Sequence, residues 1–277
     1  MTVAPLSPQY VVPPVSRALK VLRAIASGDT VANASETART LGLSRTTLIR
    51  LLGTLEIEGM IERNPHGLGF RLGLGLVSLA GQALLSSDIV QAGGPVIARL
   101  TEELALSSHI GVLSGREVLY VGRRTPNVHL VSNVGIGSRL PAHATTIGRI
   151  ILAHLPREAV VALFDGVRLV AATAKTATTL QALLKQIAQD AALGIAWSNS
   201  NFEPGIASGA AAVFDQSGRV AGAINVTGPS AAFSVERKGQ IETALIAAAS
   251  QISRRLGYVV GPVAATTGAA DTKRKLR

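Results

Sequence analysis

The chain has 277 residues, a net charge of +10 at pH 7, and 47% hydrophobic but only 3% aromatic residues, so it is long enough for two domains with aliphatic cores. It has no cysteine, which excludes disulfides, thiolate metal sites and cysteine nucleophiles and fits a reducing compartment. No continuous apolar segment of the signal-peptide kind opens the chain, and the uncharged run Leu72 to Ser87 is broken by Gly73, Gly75, Gly81, Gln82 and Ser86, short of the ~18 apolar residues of a membrane span. The reading is a soluble, cytoplasmic protein.

Residues 1–13 contain Pro5, Pro8 and Pro13 without clear periodicity and are expected to form a disordered arm. Val15 to Ala26 has the spacing of a helix, with Val15, Ala18, Leu19, Leu22 and Ile25 on one face and Gly28 as its stop. A short helix follows over Ala34 to Leu41, capped by Asn33 or Ser35 and ended by Gly42. Arg45 to Glu58 reads as a longer helix capped by Ser44 and ended by Gly59. Its Leu48, Leu51, Leu52 and Leu55 fall at i, i+3, i+4 and i+7 in one apolar stripe, while Arg45, Thr46, Ile49 and Arg50 point elsewhere. Met60 to Leu72 looks like two extended pieces around the turn Asn64-Pro65-His66-Gly67. Three helices followed by a hairpin is the order of a winged helix-turn-helix, expected over residues 14–74.

Gly73 to Ser87 is apolar and helix-like and is expected to belong to a linker helix over 75–90. Residues 91–260 then mix helices and strands. Pro95 to Leu106, Thr145 to His154, Leu180 to Ala191 and Ser234 to Leu256 read as helices. His109–Leu113 with Glu117–Val121, and Ala210–Phe214 with Val220–Thr227, read as hairpins, the second around Asp215-Gln216-Ser217-Gly218. The tail 261–277, with Lys273-Arg274-Lys275, is expected to be disordered and basic, either a solvated terminus or a DNA contact.

The positive charge suggests a polyanionic partner, but it is spread along the chain. Residues 1–80 carry eight Lys/Arg against five Asp/Glu, and residues 81–260 carry fifteen against eleven. The signal therefore lies in placement: between Glu36 and Glu56 stand three arginines and no acid.

Three stretches together resemble the isocitrate lyase regulator (IclR) family of bacterial transcription factors: RLLGTLEIEGMIERN with FRLGLGL (Arg50 to Asn64, Phe70 to Leu76), RLPAHATTIGRIILA (Arg139 to Ala153), and GIASGAAAVFDQSGRVAGAINVTGP (Gly205 to Pro229). They occur in the family's order and span most of residues 14–260. The resemblance implies an α+β chain: an N-terminal winged helix-turn-helix, a linker helix, and a C-terminal GAF-like effector-binding and oligomerisation domain with an antiparallel sheet over 91–260. It also implies homodimers, or dimers of dimers, on palindromic operator DNA, with the protein nucleoid-associated when bound.

A recognition helix reads base edges with its first turns, while nearby cations and amides hold phosphates. The candidate DNA-binding residues are Ser44, Arg45, Thr46, Thr47 and Arg50 on the helix and Arg63, His66 and Arg71 on the wing. Arginine grips guanine O6 and N7 with two nitrogens, and a threonine methyl meets thymine. The alternative is that these are solvated charges of a small helical domain.

Carried over by position from the family, the ligand-binding residues are Thr146, Ile147, Ser198, Ser208, Asn225 and Thr227. Hydroxyls, an amide and the free N–H groups of a helix start suit a small carboxylate. The segment before Phe202-Glu203-Pro204-Gly205 is usually acidic in relatives. Here it is Ser198-Asn199-Ser200-Asn201 and only Glu203 keeps a charge, which favours an anionic effector: an organic acid or an aromatic carboxylate. The same residues are also good turn formers, and Trp197 is open to a pocket role or to core packing.

None of the five histidines (His66, His109, His129, His143, His154) stands in an HxxxH or HExxH pattern or beside a serine elbow, so no catalytic residue, metal or cofactor is expected. His143 is expected to make a structural hydrogen bond. The sequence thus reads as a ligand-responsive DNA-binding regulator, a repressor or dual regulator of a catabolic operon. The alternative is a constitutive DNA-binding protein whose C-terminal domain only dimerises, with a filled core in place of a pocket.

Overall fold

Val21 and Ile25, then Leu48, Leu52 and Leu55, then Ile61 and Phe70 close the N-terminal core. In the computed structural model, which describes residues 10–127 and 134–259, these residues lie on α1 (Pro13–Ala26), α3 (Arg45–Ile57) and the strands β1 (Ile61–Arg63) and β2 (Phe70–Leu72), with α2 (Ala34–Thr40) between the first two. Leu51 completes the stripe as a partly buried neighbour. The sequence gives each boundary a physical cause. Pro13 occupies the first turn of α1, where its missing N–H is no loss. Asn33 and Ser44 accept the Glu36 and Thr47 amides as N-caps of α2 and α3. Gly59 turns the chain at φ +67°. The hairpin is antiparallel, Ile61 facing Leu72 and Arg63 facing Phe70.

α4 (Leu74–Leu85) follows, and it is tied to the end of α3. The Gly73 and Gly75 amides donate to the Met60 and Gly59 carbonyls at 2.9 and 3.0 Å. A Cβ on Gly73 would lie 2.4 Å from the Gly59 oxygen, so only glycine fits this joint.

The chain divides into two units, Met1–Ser86 and Ser87–Arg277. The boundary falls within the segment expected as one linker helix over 75–90, which is divided between nearly all of α4 and the start of α5 (Asp88–Leu104). α5 begins seven residues before Pro95, where the sequence alone suggested its start. Ile89, Gly93, Val96, Ile97, Leu100 and Leu104 keep helical spacing through the proline and are all buried, so packing outweighs the local penalty of proline.

The second unit is built on a six-stranded antiparallel sheet, ordered β5-β4-β3-β8-β7-β6. Its strands are β3 (Ser107–Ser114), β4 (Glu117–Arg124), β5 (Arg139–Pro141), β6 (Ala196–Asn199), β7 (Ile206–Phe214) and β8 (Val220–Pro229). Strand alternation sorts the side chains onto two faces. Ile110, Ala211, Val213, Ile224 and Val226 pack with α5 and α9 (Val235–Arg255). Val118, Ala210, Ala212 and Ala223 pack with α6 (Thr146–Ala153), α7 (Arg157–Phe164) and α8 (Leu180–Leu193). Trp197 belongs to the first face, edge-on to Phe233, so packing and not the pocket takes it. Residues 1–9 of the expected arm, His129 and the tail 261–277 lie outside the described residues.

Candidate functional site

On the first unit, α3 turns its leucines inward and leaves Ser44, Arg45, Thr46, Ile49 and Arg50 exposed. Ser44 is held: its Oγ accepts the Thr47 amide at 3.1 Å and lies 2.8 Å from Thr47 Oγ1. The cap therefore fixes the first turn that carries Arg45 and Thr46. Arg45 and Arg50 make no ion pair among the described residues, so their guanidinium groups are available. The expected wing cations differ. Arg63 forms a two-nitrogen pair with Glu56 at 2.8 and 3.2 Å and stacks 4.5 Å from the Phe70 ring centroid. Arg71 pairs with Glu62 at 2.9 Å. Both charges are partly neutralised at home, which the sequence reading did not anticipate. His66 is exposed, its amide donating to Asn64 Oδ1.

On the second unit, the sheet face beneath α6 changes character along its strands. Small alanines lie under the helix, but towards its start the row becomes polar. Ser198 of β6 pairs with Ser208 of β7, which pairs with Thr227 of β8; one step along, Asn225 of β8 pairs with His109 of β3. A cavity of about 50 Å³ opens over this row, lined also by Tyr120, Ala144, Thr145, Thr146, Phe202 and Glu203. Of the six residues expected around a ligand, five line it: Thr146, Ser198, Ser208, Asn225 and Thr227. The Ile147 side chain does not; it is fully buried in the core under α6.

The cavity wall is ordered by its own hydrogen bonds. Thr146 Oγ1 and Ser208 Oγ lie 3.1 Å apart, and Thr227 Oγ1 donates to the Ala207 carbonyl at 3.2 Å. Thr145 caps α6 by accepting the Gly148 amide. Gly148 itself presses on the Leu140-Pro141-Ala142 approach, where a Cβ would sit 2.2 Å from the Ala142 oxygen. The first-turn amides of α6 lack intrahelical acceptors by helix geometry and carry its positive end, so this corner suits an anion. His143 stays structural, its Nε2 3.0 Å from the Val170 carbonyl oxygen.

His109 and Tyr120 were not recognised from the sequence as cavity residues. His109 is 1% exposed, with Nδ1 2.9 Å from Asn225 Oδ1 and its ring edge-on to Tyr120 at 5.6 Å. Burial lowers its pKa to about 4, with hydrogen bonds to Asn225 and to the Val134 backbone opposing the effect and nearby Arg123 adding to it. Burial likewise pushes the Tyr120 phenol up, against a hydrogen bond with Thr145. The signal in the sequence was the alternation of β3, but only its pairing with β8 puts His109 opposite Asn225. A folded-state pKa below the unfolded value means that the unfolded chain takes up the extra proton first. Stability is therefore present above about pH 6.5 and is lost as the pH falls towards 4. Acidification from pH 7 to 4.5 is expected to cost about 2 kcal/mol through His109. Urea titrations followed by Trp197 fluorescence check this, and His109→Gln should flatten the slope.

Among the described residues no group of three or more His, Asp or Glu could hold a metal ion, and no single helix is long and apolar enough to cross a membrane.

Models of the IclR helix-turn-helix domain and of the bacterial transcriptional regulator IclR C-terminal region match residues 14–65 and 81–254. The HTH-type transcriptional regulator XynR of Escherichia coli (strain K12) is 30% identical over 244 residues, 88% of this chain and 97% of that protein. The crystal structure of a transcriptional regulator from Rhodococcus sp. RHA1 superposes with a TM-score of 0.79 at 28% identity, covering 89% of this chain and 98% of the other. An IclR homologue from Microbacterium hydrocarbonoxydans, crystallised with 4-hydroxybenzoate, superposes with a TM-score of 0.76 at 25% identity, covering 88% and 98%.

Proposed function

Because this chain belongs to the IclR family of bacterial transcriptional regulators, we propose that it is a cytoplasmic, ligand-responsive repressor or dual regulator of a catabolic operon, and not an enzyme. The observation that carries the sensor half of this reading is the polar cavity at the start of α6, lined by Thr146, Ser198, Ser208, Asn225 and Thr227. A protein whose second unit only dimerised would need a packed interior there. The ligand is a small carboxylate: its charge meets the α6 start, and its polar atoms meet the hydroxyl row. At about 50 Å³ the cavity is well below the ~150 Å³ that holds benzene in an engineered protein core, which favours an aliphatic acid of few carbons. An aromatic acid is the second reading, favoured by the homologue that binds 4-hydroxybenzoate.

The DNA half rests on α3. Ser44, Arg45, Thr46, Thr47 and Arg50 form the base-reading turn, and His66 with the partly neutralised Arg63 and Arg71 forms the wing. A palindromic operator needs two copies related by a twofold axis. α4 supplies a surface for the second copy: it has no charge and no buried residue, and Leu74, Val77 and Leu79 are exposed. An uncharged apolar surface of this kind marks an association site. Leu79→Glu is accordingly expected to shift the protein towards monomer in analytical ultracentrifugation while leaving each unit folded.

Selection of bound duplexes from a random pool by the full-length protein tests the reading. The expected outcome is an inverted repeat with half-sites about one or more helical turns apart. Enrichment of no sequence, or of an asymmetric one, would refute sequence-specific binding by a symmetric oligomer.

A further inference from the structure

The β1–β2 hairpin turns through Asn64-Pro65-His66-Gly67-Leu68-Gly69, with no Lys or Arg between Arg63 and Arg71. Those two arginines are engaged at the base of the wing, with Glu56 and Phe70 and with Glu62. At the tip Leu68 is 78% exposed, although turn positions ordinarily carry Asn, Asp, Ser or Gly. The tip is held in place. The Asn64 amide donates to the Gly69 carbonyl at 3.0 Å and the Phe70 amide to the Thr30 carbonyl at 2.7 Å. A Cβ on Gly69 would collide with that Thr30 oxygen. The Thr30 segment is itself clasped, because Asp29 accepts both the Val31 amide and the Thr37 hydroxyl at 2.9 Å. Glycine flanks Leu68 on each side, so the wing ends in a fixed, narrow, apolar point.

We propose that Leu68 is a specificity-determining residue for DNA: it enters the minor groove beside each half-site and selects A·T over G·C pairs there. The proposal rests on the reading of the first unit as the DNA-binding unit and adds a second point of readout to α3. The minor groove is only about 6 Å wide, a width that suits one leucine between two glycines. Its floor presents acceptors on every base pair, and G·C adds the guanine N2 amino donor. A leucine laid on that floor excludes water and accepts no hydrogen bond. Over G·C it leaves the amino donor buried and unpaired, which is costly; over A·T there is no such donor. Leu68 therefore discriminates by exclusion, where an arginine wing would be drawn by the negative potential of a narrow groove.

Variants of the selected palindrome test it, with the base pairs flanking one half-site set to A·T, G·C or I·C and binding to full-length protein read by fluorescence anisotropy. Inosine is guanine without the N2 amino group, so I·C keeps the major-groove acceptors and donor of G·C but offers the minor-groove pattern of A·T. The A·T and I·C duplexes are expected to bind alike and roughly tenfold tighter than the G·C duplex, the effect of about one buried donor left unpaired. Leu68→Ala should bring the three affinities together with no change in melting temperature, because the side chain is exposed. Equal binding of all three duplexes by the unsubstituted protein, an I·C duplex that binds like G·C, or a preference that survives in Leu68→Ala overturns the proposal and leaves readout by α3 intact. If no duplex is selected at all, both fall.

Discussion

Asp190→Ala is expected to destabilise the C-terminal unit by about 3–5 kcal/mol, because it strands a buried guanidinium. Arg149 and Asp190 meet inside the second unit with side chains 2% and 7% exposed. Their two contacts measure 2.9 and 3.0 Å, and Arg149 also donates to the Trp197 carbonyl at 2.7 Å. This one arginine thus joins α8 to α6 and β6, the two elements that carry the cavity residues Thr146 and Ser198. Burial pushes the Asp190 carboxyl above the usual carboxylate value and Arg149 pulls it back, so the pair is held against a desolvation cost. Urea denaturation read by Trp197, the only tryptophan of the chain, measures the loss. The double substitution Arg149→Met with Asp190→Leu should cost much less than either single change, because it removes both charges together. If Asp190→Ala costs under 1 kcal/mol, the pair is not structural.

Arg45→Ala together with Arg50→Ala is expected to weaken operator binding by roughly 100-fold or more, each base-reading arginine contributing about 1–3 kcal/mol. Both side chains are exposed and make no ion pair among the described residues, so the melting temperature should stay the same. Arg71→Ala should have a smaller effect, uniform across sequences, because that charge is already shared with Glu62. Fluorescence anisotropy on a selected duplex and on a scrambled one separates these cases. An unchanged dissociation constant for the double variant would remove α3 as the reading element.

The N-terminal unit was legible in the sequence because its signals are local. Ser44 caps, Gly59 stops, and Leu48, Leu52 and Leu55 declare the inner face without reference to distant residues. The second unit was legible in part. The long helices and the β7–β8 hairpin stood out, but β5, with three residues, and β6, with four, are too short to carry a period. The helix α7, at eight residues, likewise went unnoticed. Pro95 misplaced the start of α5 because a proline inside a helix is decided by tertiary packing. The candidate cavity followed the same rule. Asn225 and Thr227 share a face by strand alternation alone, whereas His109 joins them only through the antiparallel register of β3 with β8. The pairing of Arg63 with Glu56 joins two elements seven residues apart, and neither helical nor strand spacing foretells it.

Under the proposed function, ligand in the cavity and DNA at the recognition helices bias one equilibrium. Linkage then requires that a ligand change DNA affinity by the same factor as DNA changes ligand affinity. The decisive measurement is the dissociation constant of full-length protein for its selected palindrome, with and without a saturating small acid that raises the melting temperature. A change of at least about fivefold is predicted, the lower end of common allosteric couplings. Identical constants in the presence of a bound acid would contradict the sensor reading and leave a DNA-binding protein whose second unit does not regulate it.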